Sequence, residues 1–352
     1  MNIRPTSPLA SGVTLALASA VLFGMTTPII GRVGRGLDPL TTASLLYAGA
    51  AVGALALRVT SRAAGRRVTR ASLPRLLVVS LFGAALAPGL LAWGIADAGA
   101  TAASLVLNLE AIVTVLLANL VFSEPIGRRV WGAMLAMLAG GVLLALDVAT
   151  RSPTHLIGLL AVGGATVAWA TDNTLTRGLA EEDPLEVVMA KGALGSTLTG
   201  GLAVAFGGPS PSLSQIGWLG VCGATGYGLS LRLYLLSQRR MGAARTGSVF
   251  AVGPFVGATI GWLLGDRTAG PGTVAGAVAF ALGVYLHLSE RHSHGHRHAA
   301  QHHSHAHRHD DGHHQHDHHP AVMGEHTHEH DHGALEHEHE HAPDLHHGHR
   351  HG

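Results

Sequence analysis

Four polar side chains interrupt long apolar runs in this 352-residue chain, at Glu110, Asp172, Asn173 and Lys191. Glu110 falls near the middle of an apolar segment, and a carboxylate at such depth in a bilayer is costly without a partner or water. Asp172 and Asn173 lie about eight residues before the end of one apolar run, and Lys191 about seven after the start of the next. Two such runs joined by a short turn are antiparallel helices. Both groups then sit roughly 10–12 Å from the same surface, and an Asp172–Lys191 pair fits. Lys191 is the chain's single lysine against 22 arginines. A compact ammonium with an adjustable pKa suits proton coupling or anion binding better than a guanidinium does. Asn108 is two residues from Glu110, hence on a different helix face. Of the two, Glu110 is favoured to face a cavity. Trp93 and Trp169 are candidate cavity walls, although an aromatic residue within a span more often serves packing. Plain structural readings stand beside these: a paired lysine, and a protonated glutamic acid in an interhelical hydrogen bond.

A second constellation fills the C-terminal end. Of 27 histidines, 25 lie in the 61 residues from His292, with ten acidic residues and three arginines. The candidate metal ligands are His292, His294, His296, His298, His302, His303, His305, His307, His309, His313, His314, His316, His318 and His319. Neutral imidazoles bind Zn²⁺, Ni²⁺, Co²⁺ or Cu²⁺, and clustered carboxylates can complete the shell. Protons compete for the same nitrogens, so binding weakens near pH 6.5 and below. With almost no aliphatic residues this tail cannot bury a core and is expected to be disordered. No cofactor is required by anything else in the chain.

The elements that must hold the four polar groups are apolar helices. The first 290 residues are dominated by Ala, Leu, Gly and Val. Runs without charge are too long for a soluble domain, which is about a quarter charged. The expected spans are 9–31, 39–58, 76–97, 100–122, 130–149, 156–179, 185–207, 213–237, 242–265 and 272–289, punctuated by pairs such as Asp38-Pro39, Glu124-Pro125 and Asp183-Pro184. In lipid these must be helices, because an open strand edge leaves backbone groups unsatisfied. The first run is read as a retained span rather than a cleaved leader. Small residues at Gly49/Gly53, Gly257/Gly261/Gly265 and Gly272/Gly276 have the spacing that permits close helix contact. Arginines cluster after the second, fourth and eighth spans (Arg62 to Arg75, Arg128-Arg129, Arg239-Arg240), which places those ends and both termini in the cytosol.

The chain repeats itself. Thr26, Arg32 and Asp38-Pro39-Leu40 recur 145 residues later as Thr171, Arg177 and Asp183-Pro184-Leu185. Gly99-Ala100 corresponds to Gly242-Ala243, Ala111 to Pro254 and Glu124 to Asp266. Five spans per copy is an odd number, so the copies insert with opposite orientation, as in secondary transporters. The fold expected is all-α, with ten transmembrane helices in two five-helix units, 9–149 and 156–289, and a tail, 291–352. With Gly99 to Ser104, Asn108-Leu109-Glu110, Glu124, Trp131-Gly132, Gly140-Gly141-Val142, Gly253-Pro254-Phe255 and Gly265-Asp266, the chain resembles EamA-type carriers of the drug/metabolite transporter superfamily. Ala111 stands where that family often has proline, and Asp266 where it often has glutamate. The resemblance implies a carrier of small organic molecules, commonly an exporter, with a central cavity open alternately to each side. Glu124 and Asp266 are expected at hinges or helix starts.

Cys222 alone gives no disulfide framework and no CxxC motif. No nucleophile–base pair or phosphate loop suggests an enzyme. The leading reading is a metabolite or drug carrier in the cytoplasmic membrane with a metal-responsive tail. The alternative is a carrier of a divalent metal ion or its chelate, loaded by the tail. A metal sensor that transports nothing is a third class. Partners are the bilayer, a small substrate, divalent ions and a second copy of the chain, with no nucleic acid.

Overall fold

The computed structural model describes residues 8–60, 67–122, 126–150, 153–179, 182–241, 243–266 and 269–289, together with four short tail stretches. The helices run as α1 (Pro8–Val33), α2 (Pro39–Thr60), α3 (Leu73–Ser80, Leu81–Leu86, Ala87–Ala98), α4a (Ala100–Val106), α4b (Leu109–Phe122), α5 (Arg128–Ala149) and α6 (Pro153–Thr176). They continue as α7 (Pro184–Ala205), α8 (Leu213–Cys222, Gly223–Leu229, Ser230–Met241), α9a (Ala243–Phe250), α9b (Gly253–Leu263) and α10 (Pro271–Leu288). Among the described residues, seven stretches are long and apolar enough to cross a membrane, and Pro271–Leu286 is a shorter apolar helix. The chain is a multi-pass membrane protein. α6 and α8, which carry Asp172, Asn173, Ser230 and Arg232, are not among those seven.

Helix starts follow from local chemistry. Asp38 Oδ1 accepts from Leu40 and Thr41 N–H at 2.9 Å, with Pro39 at the first helical position of α2. Asp183 does the same for α7, accepting from Leu185 N–H beside Pro184. Ser212 and Gln215 form a reciprocal cap on α8. Asp147 accepts from the Gly270 and Gly272 N–H groups and from Thr273 Oγ1 at the start of α10. These carboxylates satisfy amides that hydrocarbon cannot.

Two spans expected as continuous are broken, and the breaks are duplicated. The fourth span stops at Leu107-Asn108, where the Asn108 side chain donates to the Leu105 carbonyl and competes with the helix backbone. The ninth stops at Ala251-Val252, just before Pro254. So the first copy breaks without the proline. In α3, Leu81–Leu86 has π geometry; in α8, Gly223–Leu229 does. Pro88 has no N–H to offer the preceding turn, whereas glycines 223, 226 and 228 permit the second widening.

Small residues close the helix contacts. A methyl at Gly140 would lie 2.8 Å from the Gly276 carbonyl, and one at Gly276 would lie 2.8 Å from the Gly140 carbonyl. That reciprocity between α5 and α10 is what two related copies produce. Gly49 meets the backbone of Gly220, Gly53 meets Ala224, Gly257 meets Ser104 and Gly261 meets Thr101. With no hydrophobic drive between helices in lipid, such approach supplies the packing energy.

Four short strands make up the described residues of the tail. Ser293–His298 (β1) pairs antiparallel with Leu335–Glu340 (β4), and Gln301–His307 (β2) with His326–His332 (β3). The His-x-His alternation has the period of a pleated strand, so paired backbones are open to it without any buried core. Arg291–Ala342 is a unit of its own.

Candidate functional site

Between the helices of the membrane unit lies a cavity. It is lined by Phe23 of α1, Tyr47 of α2, Glu110 of α4b, Trp169, Asp172 and Asn173 of α6, Lys191 of α7, Gly226, Tyr227, Ser230, Leu231 and Tyr234 of α8, and Phe250 of α9a. The cavity thus draws on both copies.

The ion pair allowed by the antiparallel register is present. Lys191 Nζ donates to both Asp172 oxygens at 2.7 Å. Only 1% of Lys191 and 3% of Asp172 is exposed, so neither charge has bulk water to fall back on. Thr176 Oγ1 adds a 3.1 Å bond to Asp172 Oδ1. Room for the carboxylate comes from Gly83, where a methyl group would overlap it.

Gly83 also explains how the walls are fixed. In a π turn its carbonyl would bond the N–H five residues on, but that residue is Pro88. The freed carbonyl accepts instead from Tyr47 Oη at 2.5 Å and from Trp169 Nε1 at 3.0 Å. One backbone irregularity therefore positions two aromatic walls and the Asp172 pocket.

Glu110 sits in the first turn of α4b because the helix breaks just before it. The carboxylate meets the positive end of that short helix. Asn173 Nδ2 donates to Glu110 Oε1 at 2.7 Å. The other Glu110 oxygen has no protein partner among the described residues. Tyr227 Oη is buried and likewise without a partner there.

Of the residues singled out in the sequence, the cavity gathers Glu110, Asp172, Asn173, Lys191 and Trp169. Asn108 is elsewhere: it is buried at the helix break, with Oδ1 unpartnered among the described residues. Trp93 does not line the cavity. It is 45% exposed, because Leu91, Ala92, Gly94 and Ile95 take the inward face of α3 and leave it outside. Asp266 Oδ2 accepts from Thr101 N–H at 2.8 Å, at the start of α4a. Glu124 lies outside the described residues, as do His292, His309, His313, His314, His316, His318 and His319. His294, His296 and His298 fall on β1, and His302, His303, His305 and His307 on β2.

Phe23, Tyr47, Tyr227, Tyr234 and Phe250 were not foreseen. They join Trp169 in one chain of ring contacts, with centroids 5.2–6.5 Å apart. A signal existed: Tyr47 and Tyr227 lie well inside their spans, away from the interfacial belt where tyrosine is usual in membranes.

The EamA-like transporter family fits residues 10–146 and, a second time, residues 156–289. No curated protein matches. A solved protein crystal structure aligns with a TM-score of 0.61 at 17% identity, over 79% of this chain and 98% of its own. That likeness extends to the fold alone.

Proposed function

The chain belongs to the EamA-like transporter family, and from that premise we propose that it carries a small organic metabolite or drug through the cavity around Glu110 by alternating access. As a family member it is a secondary transporter of small substrates rather than an enzyme. In our reading both copies, 9–149 and 156–289, contribute five membrane crossings each, in opposite orientation. The duplicated breaks in the fourth and ninth spans and the duplicated π turns support this. The arginine distribution favours both termini in the cytosol, and export is the direction that the family likeness suggests.

One observation carries the proposal: ionisable groups and aromatic walls from both copies converge on one cavity. A metal carrier is less well served. Among the described residues the cavity offers two carboxylates, one already held by Lys191, and no histidine or thiol. The tail is proposed to bind Zn²⁺, Ni²⁺, Co²⁺ or Cu²⁺ and to adjust transport, with homodimerisation as a further element.

The test is flux of a panel of metabolites, drugs and metal ions in vesicles holding the full chain. The reading requires a transported organic compound whose flux is lost in Glu110→Gln with insertion intact. Flux of metal ions only, or wild-type flux in that variant, contradicts it.

A further inference from the structure

We propose that the cargo is an organic monocation with an apolar body, its positive charge met by Glu110 and by the aromatic walls. This rests on the carrier reading and specifies its substrate class.

Charge balance comes first. The cavity lining contains two carboxylates and one ammonium. Lys191 is spent on Asp172, with both oxygens at 2.7 Å. The charge of Lys191 is already balanced by Asp172, so the pair offers an anionic cargo at most one remaining N–H and no net positive charge. Glu110 is the uncompensated group. Among the described residues its hydrogen-bond partner is the neutral amide of Asn173, on Oε1. With Glu110 ionised, the described lining offers a ligand an excess of negative charge.

Aromatic geometry points the same way. Phe23, Tyr47, Trp169, Tyr227, Tyr234 and Phe250 line the cavity. Their pairs meet at interplanar angles of 42° to 83°, edge-to-face or tilted, so no ring is covered by one stacked flat on it. Ring faces are negative, and their attraction for a cation grows when water is excluded. The same walls present apolar surface to the body of such a ligand. The unpartnered Tyr227 hydroxyl offers one neutral hydrogen bond and calls for no second charge.

The experiment is calorimetric titration of the purified full chain with four compounds on one skeleton: phenethylamine (cation), phenethyl alcohol (neutral), phenylalanine (zwitterion) and 3-phenylpropionate (anion). The amine should bind about tenfold or more tightly than each of the others. In Glu110→Gln that advantage should vanish while affinity for the alcohol is unchanged. Equal or tighter binding of phenylalanine or 3-phenylpropionate overturns the proposal, and so does an advantage that survives Glu110→Gln. Counterflow in vesicles reads the carrier premise separately. If none of the four moves while the binding order holds, the carrier reading falls and the cation preference stands.

Discussion

The seam between α4 and α6 and the seam between α1 and α9 are built from corresponding positions, yet they are closed in opposite ways. In the first, Trp169 walls the cavity and Asn173 bonds Glu110. In the second, the residue corresponding to Trp169 is Gly24 and the one corresponding to Glu110 is Gly253. A methyl at Gly24 would overlap the Gly253 carbonyl, and one at Gly253 would lie 2.8 Å from the Ala20 carbonyl. The same substitution of role appears at Tyr47, which lines the cavity, and its counterpart Gly192, which packs against Ala51. Lys191 corresponds to Leu46 and Asp172 to Thr27. Duplication preserved the backbone breaks, and divergence put the chemistry on one side and tight packing on the other.

Lys191→Ala should damage the molecule most. It strands Asp172 in a buried site, a loss of about 3–5 kcal/mol, read as a large fall in thermal midpoint in detergent. Converting Asp172→Asn alongside it should recover much of that loss; no recovery would mean the pair is not what holds α6 to α7. Gly24→Ala attacks the packed seam and should cost about 1–3 kcal/mol. Gly201→Ala, where nothing lies within 4 Å, should shift stability by about 0.5 kcal/mol or less. Equal effects at the two glycines would dissolve the distinction between seams. Glu110→Gln keeps the shape and hydrogen-bonding ability of the side chain, so stability should change by about 1 kcal/mol or less while transport is lost. Deleting residues 292–352 should leave both stability and basal flux unchanged and abolish zinc binding by the protein; retained zinc binding would move the metal site out of the tail.

The sequence made the apolar spans, their Asp-Pro starts and the duplication legible, because hydrocarbon permits so few backbone solutions. The depth match of Asp172 and Lys191 was likewise legible from residue counting. The π turns at 81–86 and 223–229 were not, since a uniformly apolar helix shows no periodicity whose change would betray a widened turn. The break at Asn108 was hidden because no proline or glycine marks it. The aromatic walls escaped notice because cavity-lining and lipid-facing rings look alike in an apolar run. Trp93 and Trp169 show this: one is turned outward, the other has its N–H on the Gly83 carbonyl. Tail pairing between distant residues, such as Ser293 with Glu340, leaves no local trace beyond alternation.

Sidedness of the cavity is the most direct measurement. In a Cys222→Ser background, Tyr227→Cys places one thiol among the cavity walls, and a membrane-impermeant thiol reagent is applied to sealed vesicles of each orientation. Alternating access predicts labelling from both faces, slowed on both by a transported compound. Labelling from neither face, or from one face with no protection by that compound, would contradict the account.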